Sequence, residues 1–297
     1  MKEKIKFLIK KLSHSKLEPL CIFIFNAVSK TEYIILNFIW GIQNTHKESC
    51  EDIQLVDNNI TFIYKSFERQ KSAKKLYNNI RHYYPTAKII IADDSRTPLK
   101  IEGDSNLTII QMPFNSGLSK GLNRAIENVH TPYVMRMDDD EQLTNATNLA
   151  DELKFLINNE NVDLTGFLFT CPPKCKNAKQ HIAEYTKFNM SNVPKPLIIP
   201  HMTKIDDSHI VMGKVPNIWL ARTDKIKKIA WDDNIRIIDH HEFFYRCAGN
   251  IVSTLSTKSI IWHCHNPFNK HYHAYRSNYK NDGIYIYHKH GKQYCIK

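Results

Sequence analysis

From residue 60 onward, short apolar runs alternate with segments whose apolar residues recur at helical spacing. The runs are bounded by polar or turn residues, which is typical of buried strands. They occupy residues 60–64, 88–92, 107–110, 133–137, 164–169 and 259–262. Two segments between them, 70–84 and 119–128, have the period of amphipathic helices, and Pro85 ends the first. This order predicts an α/β fold with a parallel sheet and right-handed crossovers.

The first 55 residues follow a different pattern. Residues 1–12 place apolar side chains on one helical face and lysines on the other, as in a basic amphipathic helix that either lies on an anionic membrane or packs on its own domain. Residues 17–42 are rich in Ile, Phe and Leu, but charged and amide residues interrupt them, so no transmembrane segment is predicted. No signal peptide is predicted either, because no uninterrupted apolar region leads to a small-residue cleavage site.

Acidic residues follow two of the predicted strands. Asp93 and Asp94 come after the strand at 88–92, and Asp138, Asp139 and Asp140 follow the strand at 133–137. Parallel strands end at one sheet edge, where open α/β sheets bind ligands. Three adjacent acids repel one another unless a cation lies among them, and Mn²⁺ and Mg²⁺ prefer oxygen ligands. We therefore predict a metal and ligand site here, with a solvated acidic loop as the alternative.

Side-chain direction in the acidic segment is predicted from the strand pattern. Successive side chains of a strand point to opposite faces, so Asp138 and Asp140 should point the same way and Asp139 the opposite way. An acid-x-acid pair of this kind can hold a metal together with a diphosphate.

Residues 115–124, between the two acidic strand ends, suit an anion. Gly117 and Gly121 allow close backbone approach, and a helix beginning near Ser119 offers free amide groups. Lys120 and Arg124 add positive charge. The alternative is a capped helix with a surface lysine. The segment is not a Walker loop, because the Gly-Lys-Ser/Thr ending is absent.

Composition is ordinary for a globular protein except for its charge. The 297 residues are 42% hydrophobic and 24% charged, and they carry a formal net charge of +11. This balance suits an anionic partner or serves solubility alone. No RNA- or DNA-binding module is recognisable, so nucleic acid is not predicted as a partner. Seven scattered cysteines suggest no disulfide framework, and the spacing of Cys171 and Cys175 is too little to predict a zinc site.

Several short motifs together resemble the nucleotide-sugar glycosyltransferases of family 2, which have the GT-A fold. The motifs are residues 62–69, 90–95, 115–119 and 137–140, in the order and at about the spacing of that family. Residues 217–226 and 240–244 look most like the ganglioside-type β-1,4-N-acetylgalactosaminyltransferases. The resemblance covers about residues 60–265, and it implies a Rossmann-like, mostly parallel central sheet flanked by helices.

The resemblance also implies roles for individual residues. Asp93 and Asp94 match the acids that hold the uridine, and Asp138 and Asp140 match the motif that binds ribose and, through Mn²⁺ or Mg²⁺, the diphosphate. Glu242 matches the base that deprotonates the acceptor hydroxyl in inverting members. His263, with His265 as the alternative, matches a metal ligand of some members. The full predicted nucleotide-sugar-binding set is Phe67, Arg69, Asp93, Asp94, Gly117, Lys120, Asp138, Asp139 and Trp219.

Two of these assignments have a plainer reading. Glu242 is also explained as an acid near the start of a helix, where the helix dipole favours it. Trp219 is predicted to shape the acceptor or sugar pocket, with a core position as the alternative. The tail from Asn266, which includes Tyr275 and Arg276, interleaves aromatic and basic residues that suit closure over a diphosphate or contact with a membrane or polyanion.

The expected reaction is a single displacement that moves a sugar, most simply an N-acetylhexosamine, from UDP to a glycan or lipid-linked acceptor. One general base without an enzyme nucleophile implies inversion. The alternatives are transfer from UDP-galactose or UDP-glucose, and a non-catalytic binding protein with the same fold. We divide the chain into an N-terminal extension, 1–55, and a catalytic domain, 56–297, with a nucleotide-binding half, 56–145, and an acceptor-binding half, 146–297. We expect a cytoplasmic protein with peripheral contact to the inner face of the plasma membrane.

Overall fold

The computed structural model describes residues 9, 11–44, 47–170, 180, 182, 185, 193–276 and 279–291. Its longer helices are α1 (Glu18–Gln43), α2 (Cys50–Asn59), α3 (Gln70–Tyr83), α4 (Leu118–Glu127), α5 (Leu149–Asn158), α6 (Thr223–Ile229), α7 (Asp239–Cys247), α8 (Lys270–Arg276) and α9 (Lys280–His290). Its strands are β1 (Ile60–Ser66), β2 (Lys88–Asp93), β3 (Leu107–Gln111), β4 (Tyr133–Arg136), β5 (Glu141–Gln142), β6 (Leu164–Thr170), β7 (His209–Val211), β8 (Trp219–Arg222) and β9 (Ser253–His263). Most of the predicted basic helix at 1–12, and both Cys171 and Cys175, lie outside the described residues.

The first half of the sheet is parallel, as the sequence predicts. Strands β3, β2, β1 and β4 are neighbours in that order, and each adjacent pair runs parallel. Ser66 of β1 lies opposite Asp93 of β2, and Ile63 of β1 lies opposite Arg136 of β4. The residues that follow β2 and β4 therefore emerge at the same sheet edge, and α3 and α4 form the crossovers between these strands.

The second half of the sheet is mixed rather than parallel. Strand β8 pairs antiparallel with both β4 and β6, while β6 and β9 run parallel to each other. Strands β5 and β7 pair antiparallel with β9. The α/β class is confirmed, but the expectation of a mostly parallel sheet holds only for the nucleotide-binding half. Antiparallel pairing is possible there because loops rather than βαβ crossovers join several of the later strands.

Apolar side chains cover both faces of the sheet. One cluster joins α2, α3 and α5 to the sheet, with Phe62 and Leu220 among its buried residues, and a second joins α4, α6 and α7 to the opposite face. In the second cluster Trp219 is fully buried, and its ring stacks on Trp231 and on Phe243, with centroid distances of 6.0 and 5.7 Å. Strand β8 and helix α7 are thereby fixed against each other beneath the sheet edge.

Helix α1 is continuous over 26 residues. Pro19 stands in its first turn, where a missing amide proton costs nothing, and so begins the helix rather than interrupting it. By length and composition this helix is apolar enough to cross a membrane. No transmembrane segment is predicted here from the sequence, because charged and amide residues interrupt the run, whereas the whole helix meets this criterion of length and mean composition. Polar residues of the helix and its C-cap, including Asn37 and Asn44, form hydrogen bonds with the domain.

Candidate functional site

A cleft of about 240 Å³ lies at the edge where the parallel strands end. Its walls come from β1 and the loop after it, from the loops after β3 and β4, from the start of α4, from the segment before α7, and from α8 and α9. Of the two acidic strand ends predicted from the sequence, the one after β4 opens onto this space. Asp138 and Asp139 line it directly, together with Phe67, Arg69 and Gly117 from the predicted set.

Asp94 supports the wall of the cleft nearest to β2. Its carboxylate accepts hydrogen bonds from the Lys65 ammonium group and from the backbone amide of Gly117. Burial raises the pKa of Asp94 and lowers the pKa of Lys65, and the attraction between the two groups opposes both changes. Gly117 has a φ of +106°, and a Cβ atom there would lie 3.3 Å from Arg236. Glycine is therefore required at this position both for its backbone conformation and for space.

Asp93 does not reach the cleft. Its side chain is fully buried and accepts hydrogen bonds from Ser95 and from the amide of Leu99, the latter at 2.6 Å. It therefore fixes the turn after β2. Of the predicted acidic pair, only Asp94 is positioned beside the ligand space.

Three aromatic rings form an apolar wall. Phe67 lies 5.7 Å from Phe114 and 5.1 Å from Tyr275 between ring centroids, and Phe114 lies 5.9 Å from Tyr275. Lys65 and Arg96 place positive charges over Phe67 and Phe114 respectively. Such a wall suits a flat heterocycle, because aromatic faces stack and exclude water.

The acidic segment does not continue the alternation of β4. The strand ends at Arg136, and the following residues turn. Asp138 accepts a hydrogen bond from Arg136 at 2.8 Å, whereas Asp139 and Asp140 both pair with the guanidinium group of Arg69. The prediction that Asp138 and Asp140 point together is therefore wrong. That prediction assumed the two-residue period of a strand, and a turn does not preserve this period.

Arg69 compensates the charge of this acidic segment. Its guanidinium group also stacks on Tyr272 of α8, 4.0 Å from the ring centroid. Burial raises the pKa of Asp139, and the nearby Asp140 raises it further, while Arg69 opposes both effects. One buried oxygen of Asp139, Oδ2, has no hydrogen-bond partner among the described residues.

Asp140 lies next to both candidate histidines. Nε2 of His263 and Nδ1 of His265 are each 3.5 Å from one of its carboxylate oxygens. Burial alone would raise the pKa of Asp140, but these two histidines and Arg69 hold it well below its usual value. Strand β9 delivers the histidines, because it pairs antiparallel with β5 directly after the acidic segment. Both predicted alternatives are thus adjacent to Asp140.

The types of donor atom near the acidic segment suit a hard divalent cation, but the side chains do not surround one point. Within the described ranges, no group of three or more His, Cys, Asp or Glu side chains converges as a ready metal site. Asp138 is partly exposed toward the cleft, and Asp140 has His263 and His265 beside it. Carboxylate and imidazole groups suit Mn²⁺, and carboxylates suit Mg²⁺.

Two arginines in the cleft are not in the predicted site set. Arg236 and Arg276 line it, beside Tyr272 and Tyr275 of α8. Asp282 of α9 fixes the segment before α7, because one of its oxygens accepts hydrogen bonds from the backbone amides of residues 236–238. The sequence signal for Arg276 was the aromatic and basic tail. Arg236 had no signal, since an isolated arginine in a loop is not distinctive.

Eight predicted residues are not among those that line the cleft, namely Asp93, Asp94, Lys120, Asp140, Trp219, Glu242, His263 and His265. Asp94 and Asp140 contact the lining residues Lys65 and Arg69, respectively. Lys120 is exposed on the first turns of α4 and does not line the cleft. Trp219 is a core residue, which was its alternative reading. Glu242 is buried on α7, and no part of it is among the cleft walls.

Replacement of Trp219 is a direct test of its core position. We expect Trp219→Ala to lower the free energy of unfolding by about 3–5 kcal/mol, as for other fully buried aromatic residues. Nucleotide affinity of the folded fraction should not change. Denaturant titration and calorimetry measure the two quantities, with Tyr279→Ala, at an exposed site, as the control. A large loss of nucleotide affinity without loss of stability would return Trp219 to the binding site.

Glu242 is the centre of an ion-pair cluster. Its carboxylate accepts hydrogen bonds from Arg246 at 2.8 Å, from Lys289 at 2.8 Å and from His290 at 3.1 Å. Burial raises the pKa of Glu242, but Arg246 and Lys289 outweigh that effect and hold it below its usual value. A carboxylate that is saturated with donors and weakly basic is poorly suited to accept a proton. Its visible role is to attach α9 to α7.

We expect Glu242→Gln to destabilise the fold by roughly 3 kcal/mol, because it leaves the partly buried Arg246 and Lys289 without the buried carboxylate that both contact. The exposed pair Arg124–Glu127 supplies the control Glu127→Gln, which should cost less than about 1 kcal/mol. Since the folded pKa of Glu242 is lowered, its contribution is present above the usual value of 4.5 and is lost as pH falls through the folded value. Urea titrations between pH 3 and 7 would show this loss in the wild type and not in the variant. Equal pH dependence in both would contradict it.

Asp239, three residues before Glu242, begins α7; it does not line the cleft itself, but it interacts electrostatically with Asp138, which does. It is buried, and burial raises its pKa to about 6, with Arg136 opposing and Asp138 adding to the effect. Oδ2 of Asp239 has no hydrogen-bond partner among the described residues. The sequence offered the same signal for Asp239 as for Glu242, namely an acid in the first turn of a helix.

A basic pair stands near Asp239. The Lys214 ammonium group donates a hydrogen bond to Nε2 of His241 at 2.8 Å, and burial lowers the pKa of Lys214 to about 7 while Asp239 opposes that change. His240 is fixed by a hydrogen bond to the carbonyl of Val215 at 2.7 Å. The start of α7 therefore combines an unsaturated carboxylate with polar groups able to orient a hydroxyl-bearing ligand.

Comparison with known proteins adds sequence and structural relatives. The model of "Glycosyl transferase family 2" matches residues 61–251. The chain is 28% identical over 240 residues to mouse β-1,4 N-acetylgalactosaminyltransferase 1, covering 73% of this chain and 43% of the relative. It is 29% identical over 210 residues to mouse β-1,4 N-acetylgalactosaminyltransferase 2, covering 70% and 40%. The chain thus spans less than half the length of these curated relatives.

A solved structure has a similar fold. The crystal structure of S. aureus TarS 1-349 in complex with UDP-GlcNAc superimposes with a TM-score of 0.51 at 15% sequence identity, covering 70% of this chain and 59% of that one. At this identity the likeness concerns the fold alone.

Proposed function

Since this chain belongs to glycosyl transferase family 2, we propose that it transfers a sugar from a UDP-sugar to a glycan or lipid-linked acceptor, with inversion. The GT-A type of fold expected from the sequence is confirmed by the similarity to TarS. The names of the related N-acetylgalactosaminyltransferases, and the UDP-GlcNAc in the TarS complex, support an N-acetylhexosamine, GalNAc or GlcNAc, as the sugar.

The observation that carries this proposal is the convergence of three kinds of group on one cleft. An aromatic wall with Asp94 behind it suits a nucleobase, Arg236 and Arg276 suit a diphosphate, and Asp138 suits a ribose or a metal. Cations that face a leaving diphosphate stabilise the charge that develops on it. In a cleft that excludes water, this effect is larger than in bulk solvent.

We propose Mn²⁺ or Mg²⁺ as the cofactor, with Asp138, Asp140 and either His263 or His265 as the ligands. A bound cation would act as a Lewis acid toward the diphosphate. Arg69 pairs with Asp140 and also lines the cleft, so it places positive charge beside the proposed metal ligands. Asp139 holds Arg69 in place.

We propose Asp239, rather than Glu242, as the general base. Its position beside Asp138 and Arg136, its unpartnered oxygen and its raised pKa suit a group that takes a proton from an acceptor hydroxyl. Lys214 and His241 would orient that hydroxyl. Glu242 has none of these properties, because two cations, Arg246 and Lys289, and the imidazole of His290 saturate it.

Two other functions remain consistent with the fold. One is transfer of galactose or glucose from UDP-galactose or UDP-glucose; for either kind of sugar, we propose the synthesis of surface polysaccharide or glycolipid as the setting. The other is binding of a nucleotide sugar or glycan without catalysis. The predicted placement, cytoplasmic with peripheral contact to the inner membrane face, stays part of the proposal.

A panel of UDP-sugars, assayed for release of UDP with and without EDTA, tests the proposed function. We expect metal-dependent hydrolysis with one N-acetylhexosamine donor at the highest rate. Tight binding of a UDP-sugar without turnover in any condition would favour the binding protein. Highest turnover with UDP-galactose or UDP-glucose would change the sugar and retain the transferase.

A further inference from the structure

Helix α1 is bound to the domain along its whole length by one face. Glu18 at its start pairs with Lys270, and Phe25 packs edge-on against Phe268. At its middle the hydroxyl of Tyr33 donates to the carbonyl of Leu143 at 2.9 Å. The same face continues to the end of the helix through Asn37, Gly41 and Asn44, which lie against Asn145.

The opposite face of α1 is apolar and exposed. Of the large apolar side chains exposed in the described part of the chain, more than half belong to this face. Phe23 and Phe38 are 70% and 68% exposed. The complete set is Leu17, Leu20, Phe23, Ile24, Val28, Ile34, Ile35, Phe38, Ile39 and Ile42. Most of these positions recur in steps of three, four or seven, with the polar Thr31 between Val28 and Ile35, so they form one stripe along the helix.

Positive charge accompanies this stripe. Lys11, Lys16 and Lys30 are exposed at or before the helix. The first 16 residues of the sequence contain six lysines and a single acid. An apolar stripe flanked by lysines is complementary to a bilayer surface with anionic headgroups. A stripe for a second protein chain would need no such excess of charge.

We propose that α1 lies flat on an anionic membrane surface, with its apolar stripe in the boundary between headgroups and acyl chains, while its other face stays bound to the domain. The attachment surface does not depend on the transfer reaction. Crossing the bilayer would require α1 to leave the domain. Tyr33, Asn37 and Asn44 would then lose their partners in a medium that offers none.

This arrangement also connects the membrane to the cleft. Lys270, which pairs with Glu18 of α1, is the first residue of α8. Tyr272 and Arg276 of the same helix line the cleft. A flat α1 would therefore hold a cleft wall close to the surface where a lipid-linked acceptor resides.

Vesicle binding of the full-length chain tests the stripe. Sedimentation with vesicles of phosphatidylcholine and phosphatidylglycerol should recover the wild type. Phe23→Asp combined with Phe38→Asp should weaken binding by about a hundredfold, from the loss of two buried aromatic side chains. The matched control is Ile157→Asp, an exposed apolar residue of α5, which should bind as the wild type does. Absence of wild-type binding, or equal weakening by the control, would overturn the proposal.

A disulfide between α1 and the domain distinguishes lying flat from crossing. A Cβ atom on Gly41 would be 3.8 Å from Cβ of Asn145, the usual separation in a disulfide. The double variant Gly41→Cys, Asn145→Cys, oxidised and verified by mass spectrometry, cannot release α1 at this end. We expect equal vesicle binding in the oxidised and reduced forms. Binding only after reduction would show that α1 inserts by leaving the domain and would overturn the proposal.

The same proteins separate other outcomes. UDP-sugar turnover is measured on the same proteins in parallel. Turnover without vesicle binding would contradict the membrane proposal alone, and vesicle binding without turnover would contradict the proposed reaction alone. If the wild type forms a concentration-dependent dimer that Phe23→Asp with Phe38→Asp abolishes, and it does not bind vesicles, the stripe is an interface between copies and the membrane proposal is overturned.

Discussion

Asp140→Ala is expected to reduce UDP-sugar turnover by about 10²–10³, the range seen when one electrostatic stabiliser of a developing charge is removed. Asp140 has a pKa well below its usual value, and it is the group on which Arg69, His263 and His265 converge. Its removal leaves these cationic and imidazole groups without their common partner. It also takes away one oxygen donor of the proposed metal site.

Two binding measurements locate the cause of that loss. Mn²⁺ affinity, measured by calorimetry without substrate, should fall in Asp140→Ala, whereas UDP affinity in EDTA should remain within a few-fold of the wild type. Asp224→Ala is a suitable control, since the ion pair that Asp224 forms within the described residues is an exposed one with Lys228. Unchanged Mn²⁺ affinity together with unchanged turnover would remove Asp140 from the site. Turnover that persists in EDTA would exclude a metal ion from the proposed mechanism.

Asp239→Asn is expected to lower sugar transfer by about 10²–10⁴, the usual contribution of a general base, while donor binding stays intact. The amide is close in size to the carboxylate but accepts no proton. Because burial disfavours the charge on Asp239, replacing the carboxylate by a neutral amide should not destabilise the fold. Single-turnover transfer and calorimetric titration with UDP-sugar give the two quantities separately.

Glu242→Gln is the matched comparison for this prediction. Like Asp239→Asn, it replaces one carboxylate of α7 by the corresponding amide. It should lower stability while leaving transfer by the folded fraction largely unchanged. Transfer at the wild-type rate in Asp239→Asn, with loss of transfer in a fully stable Glu242→Gln, would restore the assignment made from the sequence resemblance. The two variants therefore decide between the two bases.

Arg69 gives the acidic segment its shape before any ligand binds. It joins Asp139 and Asp140 to Tyr272 of α8, so the segment after β4 and the tail of the chain meet through one side chain. The sequence resemblance placed Arg69 among the nucleotide-sugar-binding residues. Its contacts suggest that it also holds positive charge at the position where the diphosphate is expected.

The sequence alone determined the parallel half of the sheet and the edge on which its acids lie. Apolar runs of strand length, separated by helical periods, specify which strands cross over, and parallel strands must end at the same edge. Asp94, Gly117 and Asp138 therefore came together as predicted. The predicted strands and the two helices between residues 60 and 137 lie within a few residues of the observed ones.

Only the tertiary structure decided which side chains face the ligand space. Beyond the end of a strand the two-residue period no longer applies, and direction depends on partners distant in sequence. Asp93 turns inward to Ser95 and Leu99, Asp139 turns to Arg69, and Glu242 turns to Lys289 from the far end of the chain. The direction of the side chains of α1 also depends on the tertiary structure. Its polar and apolar residues are mixed in sequence, and the docking of the helix on the domain decides which of its two faces is exposed.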